Sequence, residues 1–199
     1  MSDAGSGKRD VPETPGPVVN PELSPAEEVA VVDAGNTLVG SAARAVMRRD
    51  GLIHRAVYVL VFNSLGELFV QERTKTKDVF PGFLDLCAGG VVLAGESCEE
   101  SAARELREEL GIEGAGVRFL FDFYGEYQGQ RVWGRAYSCV HDGPFALQAE
   151  EIAGGSFYPL EALEELTASR PCTPDSIYVL HRHLRASRGE KAPGAGCHE

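Results

Sequence analysis

The chain has 199 residues, of which 43% are hydrophobic and 25% are charged, values that are ordinary for a globular protein with one core. Its formal net charge of −11 argues against binding to duplex nucleic acid or to an anionic membrane, because both require a surplus of Lys and Arg. No apolar run reaches about 18 residues, and the polar N-terminus lacks the apolar core of a signal peptide, so we expect a cytoplasmic protein without a transmembrane helix. The five cysteines lack CxxC spacing, which predicts neither a disulfide framework nor a zinc site.

The predicted elements form one unit between two polar tails. Residues 1–24 and 187–199 are predicted to be disordered, which leaves a single domain over 25–186. Strands are predicted at 29–32, 37–39, 56–62, 68–71, 83–87, 117–124, 131–140 and 156–159. Helices are predicted at 41–50, with Ser41 as its N-cap, and at 97–111, 160–167 and 175–186. Strands and helices alternate, so the sequence predicts an α/β (α+β) class with a mixed sheet and helices on its faces.

The helix at 97–111 has the clearest local signals. Ser97 and Glu100 form an S-x-x-E capping box, and Gly111 is a typical C-terminal stop. Its apolar residues fall on one stripe that is expected to pack on the core: Ala102, Leu106 and Leu110.

Three glutamates on this helix have a spacing that opposes its stability: Glu105, Glu108 and Glu109. At i, i+3 and i+4 they share one face, where like charges repel by roughly 0.2–0.5 kcal/mol per pair. They also lie near the C-terminus of the helix, where the macrodipole disfavours anions. A solvated acidic face is one interpretation. The other is a divalent cation, which would turn repulsion into attraction, because Mg²⁺ binds a few carboxylates together with substrate phosphates.

The wider spacing favours the cation. The segment satisfies G-x5-E-x7-R-E-U-x-E-E-x-G-U, where U is apolar, through Gly90, Glu96, Arg104, Glu105, Leu106, Glu108, Glu109, Gly111 and Ile112. Seven fixed identities make a chance match rarer than about one in 10⁷ per starting position. In this pattern the chain resembles the Nudix hydrolases, and no fixed position departs from it. We call residues 90–112 the Nudix box; a looser resemblance in the order of strands and helices extends over roughly 25–186.

The resemblance implies the Nudix fold, an α/β/α sandwich with a mixed central sheet, and a Mg²⁺- or Mn²⁺-dependent pyrophosphohydrolase. In that family the box is a loop–helix–loop that holds the cation against a diphosphate. Carried onto this chain, the metal ligands are Glu105, Glu108 and Glu109, and the Gly89 carbonyl is a further candidate.

The resemblance also gives roles to the remaining charged residues of the box. Glu105 commonly helps to activate the attacking water, and Arg104 typically pairs with the carboxylates and orients them, a role that suits a guanidinium fork. Glu96 normally supports this network. Many Nudix proteins place another glutamate outside the box; here Glu151 is the first choice and Glu150 the second, with an ordinary loop carboxylate as the alternative.

The expected substrate is a small-molecule diphosphate, a nucleoside diphosphate linked to another group X. Bound metal ions polarise the phosphate oxygens and lower the pKa of bound water. Three basic residues before the box are candidate phosphate contacts, or else part of a solvated loop: Arg73, Lys75 and Lys77. Three aromatic residues are candidates to stack on a base, or else pack within the fold: Tyr124, Tyr127 and Trp133.

A second resemblance, in the segments 54–63, 71–73 and 77–82, is to the N-terminal half of isopentenyl-diphosphate isomerase, which shares the Nudix fold. The isomerase needs a catalytic cysteine where this chain has Gly89, and Cys87 stands two positions early. A hydrolase of the isomerase-like branch is therefore favoured. An isomerase-like enzyme and a catalytically silent nucleotide-binding module are the alternatives, although such modules usually lose a box glutamate and none is lost here. A homodimer is left open.

Overall fold

The computed structural model describes residues 27–189. Within this range the strands are β1 (Glu28–Val32), β2 (Leu38–Ala43), β3 (His54–Phe62), β4 (Leu68–Arg73), β5 (Leu84–Asp85), β6 (Arg118–Tyr127), β7 (Gln130–Val140) and β8 (Ile152–Tyr158). The helices are α1 (Arg44–Asp50), α2 (Cys98–Leu110), α3 (Leu160–Ser169) and α4 (Pro174–Ser187).

All the strands belong to one mixed sheet. A path of hydrogen-bonded neighbours runs β2-β1-β3-β4-β5, while β8 pairs with β4 and β6 pairs with β7. The central strand β3 runs parallel to β7, from His54 opposite Val132 to Phe62 opposite Val140. The other pairings of named strands are antiparallel.

The two faces of β3 support two separate cores, because successive side chains of a strand point to opposite faces. On one face Val57, Val59 and Val61 belong to the same buried cluster as the apolar stripe of α2. On the other face Leu60 packs in a cluster with side chains of α3 and α4, which include Leu163 and Val179. This arrangement is the predicted α/β/α sandwich.

Several predicted elements differ from the structure in their limits. The helix predicted at 41–50 begins only at Arg44, because Ser41 pairs with Ala30 as part of β2 and its hydroxyl hydrogen-bonds Glu28. The strand predicted at 83–87 is reduced to β5, and the strand predicted at 156–159 begins earlier, at Ile152. Ser41 is therefore not an N-cap, and the N-cap position, Ala43, makes no side-chain hydrogen bond.

The predicted tails fall largely outside the described residues. The tail 1–24 lies wholly outside them, and so does the tail 187–199 from residue 190 onward. Ser187, at the start of that second tail, is the last residue of α4. Between 27 and 189 the structure contains no helix long and apolar enough to cross a membrane.

Candidate active site

Helix α2 is fixed at both ends by the residues that the sequence predicts. The Ser97 side chain accepts a hydrogen bond from the Glu100 amide, and the Glu100 side chain accepts one from the Ser97 amide, which completes the capping box. Gly111 ends the helix in the left-handed conformation, with φ of 69°, where glycine is favoured. Ala102, Leu106 and Leu110 are fully buried, so the rotation of α2 is set and its glutamate face is directed away from the core.

A glycine pair lies against that glutamate face. A Cβ atom on Gly89 would come within 2.0 Å of the Val57 carbonyl oxygen, and one on Gly90 would come within 2.5 Å of a Glu105 carboxylate oxygen. No side chain fits at either position without displacing β3 or Glu105. The missing side chains allow the backbone to approach the two buried glutamates of the helix directly, and the Gly89 amide donates to Glu109 Oε2 at 3.1 Å.

Arg104 connects four acceptors of the box. Its Nε donates to Glu96 at 2.9 Å, its Nη1 to Glu105 at 2.7 Å and to Glu108 at 3.2 Å, and its Nη2 to the Val91 carbonyl at 3.1 Å. One guanidinium thus fixes three carboxylates relative to one another. Although burial alone would raise the pKa of Glu96, hydrogen bonds from Arg104 and Ser101 lower it, so Glu96 stays ionised.

Glu109 differs from the other box carboxylates because it has no cationic partner. It is 4% exposed, and its Oε2 accepts from the Gly89 amide and, at 3.4 Å, from Gln71 Nε2. No Lys, Arg or His side chain among residues 27–189 forms an ion pair with it. Burial raises its pKa well above the ordinary value, and the neighbouring Glu105 and Glu151 raise it further.

Glu105 and Glu108 occupy different environments on the same face. Glu105 is 7% exposed; burial raises its pKa, and the Arg104 guanidinium opposes that rise. The Glu108 side chain is 44% exposed and is shared between Arg104 and Arg107. No three Asp, Glu, His or Cys side chains of the described range converge closely enough to form a ready-made metal site. The ligand set Glu105, Glu108, Glu109 and Gly89 therefore stays a prediction.

The box forms one side of a cleft of about 700 Å³. We call this the box side; its lining includes Gly89, Gly90, Arg104, Glu105, Glu108 and Glu109. Two charged residues from outside the box, Lys77 and Glu151, also line the cleft and form an ion pair with an Nζ–Oε2 distance of 2.6 Å. The cleft thus joins the predicted metal ligands to two of the predicted phosphate contacts, Arg73 and Lys77.

Comparison with known proteins identifies the family. The family model described as the NUDIX domain matches residues 52–183. The chain belongs to the Nudix family. Membership makes it a hydrolase that acts on pyrophosphate bonds.

Similar proteins agree with this assignment along most of the chain. The Nudix hydrolase PA4841 of Pseudomonas aeruginosa is 47% identical over 163 residues, which are 82% of this chain and 96% of that protein. The Nudix hydrolase YfcD of Escherichia coli K12 is 45% identical over 171 residues, which are 85% of this chain and 93% of that protein. The crystal structure of DR0079 from Deinococcus radiodurans superposes with a TM-score of 0.70 at 28% identity, and covers 80% of this chain and 100% of that one. The isomerase-like branch stays a prediction.

The three basic residues before the Nudix box differ in whether they line the cleft. Arg73 lines the cleft, but its guanidinium is engaged by the Val79 carbonyl at 2.9 Å and by Asp85 at 3.2 Å. Lys77 lines the cleft as well, whereas Lys75 is exposed and is not part of the lining. Of the three predicted phosphate contacts, Lys77 has the best position, because its single partner is a carboxylate beside the box.

Tyr124 and Trp133 do not line the cleft, which leaves their predicted stacking on a base without support. They are cross-strand neighbours on β6 and β7, with ring centroids 5.6 Å apart. Side chains alternate along a strand. Val132 and Tyr127 line the cleft. Trp133 is one residue from Val132 and Tyr124 is three residues from Tyr127, so both point to the opposite face of the sheet. The predicted stacking residue Tyr127 alone of the three aromatic candidates reaches the cleft.

Four further residues of the lining, Tyr58, Asp85, Tyr127 and Asp175, form what we call the α4 side, and of these only Tyr127 was predicted as a site residue. The Tyr58 hydroxyl donates to Asp175 Oδ2 at 3.2 Å. Burial raises the pKa of Asp175 to about 6, and the nearby Asp85 contributes to the rise. Asp175 follows Thr173-Pro174 at the start of α4, so its place at a helix N-terminus was legible in the sequence, but its proximity to β3 and β5 was not.

Two further residues of the cleft have little tendency to ionise. His54 is buried, and burial lowers its pKa to about 4. Burial also raises the pKa of the Cys87 thiol well above its ordinary value, and the carboxylates of Asp85, Asp175 and Glu109 raise it further. A neutral thiol is a poor nucleophile, so Cys87 is poorly suited to act as a displaced isomerase cysteine.

Proposed function

We propose that this protein is a Mg²⁺-dependent Nudix pyrophosphohydrolase that cleaves the diphosphate linkage of a nucleoside diphosphate joined to a second group X. The observation that carries the proposal is the buried Glu109. Its carboxylate lies next to Glu105 in a cleft of about 700 Å³, yet no cationic side chain of the described residues neutralises it. The ionised form of a carboxyl group in this situation is costly unless a cation binds there, which is the reason that its pKa is raised.

The donor set fits a hard divalent cation such as Mg²⁺ or Mn²⁺. Carboxylate and carbonyl oxygens are the ligands that Mg²⁺ prefers, and it keeps waters and substrate phosphate oxygens in the remaining positions. Glu105, Glu109 and the Gly89 carbonyl would hold the cation, with Glu108 and Glu151 at its edge. The glycine pair supports this fit, because a Cβ on Gly90 would occupy the space beside the Glu105 carboxylate. When bound, the cation polarises the phosphate oxygens and lowers the pKa of bound water.

The remaining work falls to residues of this chain. Arg104 holds Glu105 Oε1 at 2.7 Å and so orients the carboxylate that helps to activate the attacking water. Glu96 keeps Arg104 in place by accepting hydrogen bonds from the Nε and Nη2 atoms of its guanidinium. Lys77 is the candidate to contact a terminal phosphate, because its ammonium group is at the cleft beside the box.

The group X and the nucleoside would extend toward the α4 side. Asp175 and the hydroxyl groups of Tyr58 and Tyr127 favour a substrate part that is rich in hydrogen-bond donors, such as a sugar. The partner is therefore a small molecule. A cytoplasmic location and a homodimer remain predictions.

A substrate panel with Mg²⁺ tests the proposal. The panel contains nucleoside triphosphates, nucleotide sugars, dinucleotides and prenyl diphosphates, and we expect a nucleoside monophosphate and phosphorylated X from at least one class. Glu105→Gln is the control and should abolish most of the turnover without changing the fold.

Two outcomes would contradict the proposal. Tight binding of a nucleotide without turnover by the wild-type protein would indicate a silent binding module. Conversion of isopentenyl diphosphate to dimethylallyl diphosphate would indicate an isomerase.

A further inference from the structure

The segment between β4 and β5 joins two separate parts of the cleft lining through adjacent residues. Lys77 pairs with Glu151, which precedes β8, at 2.6 Å. Its neighbour Asp78 pairs with Arg48 of α1 at 2.7 Å. The position of Lys77 is therefore set both by its own ion pair with Glu151 and by the ion pair that the next residue, Asp78, forms with Arg48.

Glu151 is linked to the end of helix α2 by a short chain of backbone hydrogen bonds. The Gln148 amide donates to the Glu109 carbonyl at 3.0 Å, and the Glu151 amide donates to the Gln148 carbonyl at 3.0 Å. The Thr74 amide donates in turn to the Glu151 carbonyl at 2.9 Å. Glu151 lines the same cleft as the two buried glutamates of the box, Glu105 and Glu109, while it is bound to Lys77.

Among the cleft ion pairs formed by Arg73, Lys77 and Arg104, the Lys77–Glu151 pair is the best suited to exchange. Arg104 contacts four acceptors, and Arg73 contacts both a carbonyl and a carboxylate. Lys77 makes a single side-chain hydrogen bond, to Glu151, and both side chains are partly exposed, at 15% and 26%. An ammonium group is also a mobile point charge on a flexible stem, unlike a guanidinium fork.

We propose that the Lys77–Glu151 ion pair is a placeholder that is exchanged when a divalent cation and a diphosphate bind together. Glu151 passes from the ammonium group to the cation, and Lys77 passes from the carboxylate to the phosphate oxygens. This inference rests on the proposed function, because it requires the cation and the diphosphate to share the box side of the cleft.

The exchange couples the two ligands. A cation alone must compete with Lys77 for Glu151, and a diphosphate alone must remove Lys77 and leave Glu151 facing Glu105 and Glu109 without a counter-charge. When both bind, each displaced side chain receives a new partner. Positive coupling between metal and diphosphate follows, and it is reciprocal by linkage.

The test measures Mn²⁺ binding by the full chain, by electron paramagnetic resonance of the free ion. Mn²⁺ is added alone or as its complex with methylene diphosphonate, which resists hydrolysis. Lys77→Met should bind Mn²⁺ alone roughly fivefold more tightly than the wild type, since Glu151 is released. The same variant should bind the Mn²⁺–methylene diphosphonate complex roughly fivefold more weakly, since the phosphate contact is lost. A purely structural role for Lys77 would not produce opposite signs.

Matched variants separate the placeholder from the general loss of a surface ion pair. Arg170→Met breaks the Arg170–Glu72 pair, which lies outside the cleft lining, and should change neither affinity. Glu151→Gln should weaken binding of the complex but hardly change binding of Mn²⁺ alone. The double variant Lys77→Met/Glu151→Gln should lose the gain for Mn²⁺ alone. Circular dichroism confirms that each variant is folded.

The proposal is overturned if Lys77→Met binds Mn²⁺ alone no more tightly than the wild type, or if Arg170→Met gives the same gain. With turnover in the substrate panel, that result removes the placeholder and leaves the proposed function intact. If the wild type binds neither Mn²⁺ nor the complex at millimolar concentration and is inert in the panel, both proposals fail.

Discussion

The two sides of the cleft are built in different ways. The box side takes its carboxylates and its guanidinium from one continuous stretch, residues 90–112, whose helical spacing determines which groups share a face. The α4 side takes Tyr58, Asp85, Tyr127 and Asp175 from β3, β5, β6 and α4, which meet only through the sheet topology. Local spacing thus encodes the group proposed to carry the chemistry, and long-range packing creates the surface proposed to select the substrate.

The largest expected effect on catalysis comes from a substitution on the box side. Glu109→Gln removes the one buried box charge without a cationic partner, and we expect kcat on the best panel substrate to fall by roughly 10²–10³-fold. Glu99→Gln, an exposed glutamate on the same helix, should change kcat by less than about twofold, because surface substitutions have small effects. Wild-type turnover by Glu109→Gln would mean that the box side does not hold the metal.

Arg104→Lys tests whether geometry, and not charge alone, organises the box side. Lysine keeps the positive charge but lacks the fork that reaches Glu96, Glu105 and Glu108 together. We expect Mn²⁺ affinity to fall roughly 10–100-fold, as is common when the support of a metal ligand is lost. Arg107→Lys, at a mostly exposed arginine of the same helix, is the matched control. Equal affinities for Arg104→Lys and the wild type would contradict the orienting role.

The pH dependence of stability tests the burial of His54, which lines the cleft outside the box. Its folded pKa of about 4 lies below the ordinary value, so the unfolded chain binds the proton first. The free energy of unfolding should therefore be highest above pH 6.5 or so and fall as the pH drops from there toward about 4. From about pH 7.5 to pH 5 the loss due to His54 should be about 2 kcal/mol.

Urea unfolding of His54→Gln at the two pH values measures this contribution. The variant should lack that part of the loss, whereas His181→Gln, at an exposed histidine of α4, should keep it. A loss in His54→Gln as steep as in the wild type would show that His54 is not buried in its neutral form.

The smallest expected effect belongs to the α4 side. Asp175→Asn should raise KM for the best substrate by roughly tenfold with little change in kcat, because a hydrogen bond to a charged acceptor is weakened away from the reacting atoms. Tyr58→Phe, which removes only the hydroxyl partner of Asp175, should give a smaller shift in the same direction. If both variants lower kcat and leave KM unchanged, the α4 side belongs to the catalytic machinery.

The outcome of the sequence predictions follows the same division. The limits of α2, the capping box and the buried stripe were predicted because they depend on residues a few positions apart. The extension of β2 through Ala43 was not, since the pairing of Ser41 with Ala30 overrides the local helical pattern. Side chains alternate along β7, so if Val132 faces the cleft, Trp133 does not. The sequence alone does not show which of the two faces the cleft; the register of β7 in the sheet does.

The remaining site residues could be assigned only after the elements were packed. Lys75 and Lys77 have the same charge in the same loop, and nothing local to them indicates that Lys77 finds Glu151. The contribution of Asp175 depends on α4 crossing the same face of the sheet as Tyr58. Catalytic roles within the box stay predictions that rest on its spacing and on the contacts of Arg104.

The parallel pairing of β3 with β7 has a consequence for the order of folding. It brings His54 opposite Val132, across nearly half of the domain sequence, and such non-local contacts form slowly. Helix α2, with its complete cap, can form early, but Gly89 and Gly90 reach Glu105 and Glu109 only when their segment docks against β3. We therefore expect pulse-labelled hydrogen exchange to protect the amides of α2 before the Gly89 amide, so that the refolding chain acquires a helix well before it acquires the proposed cation site.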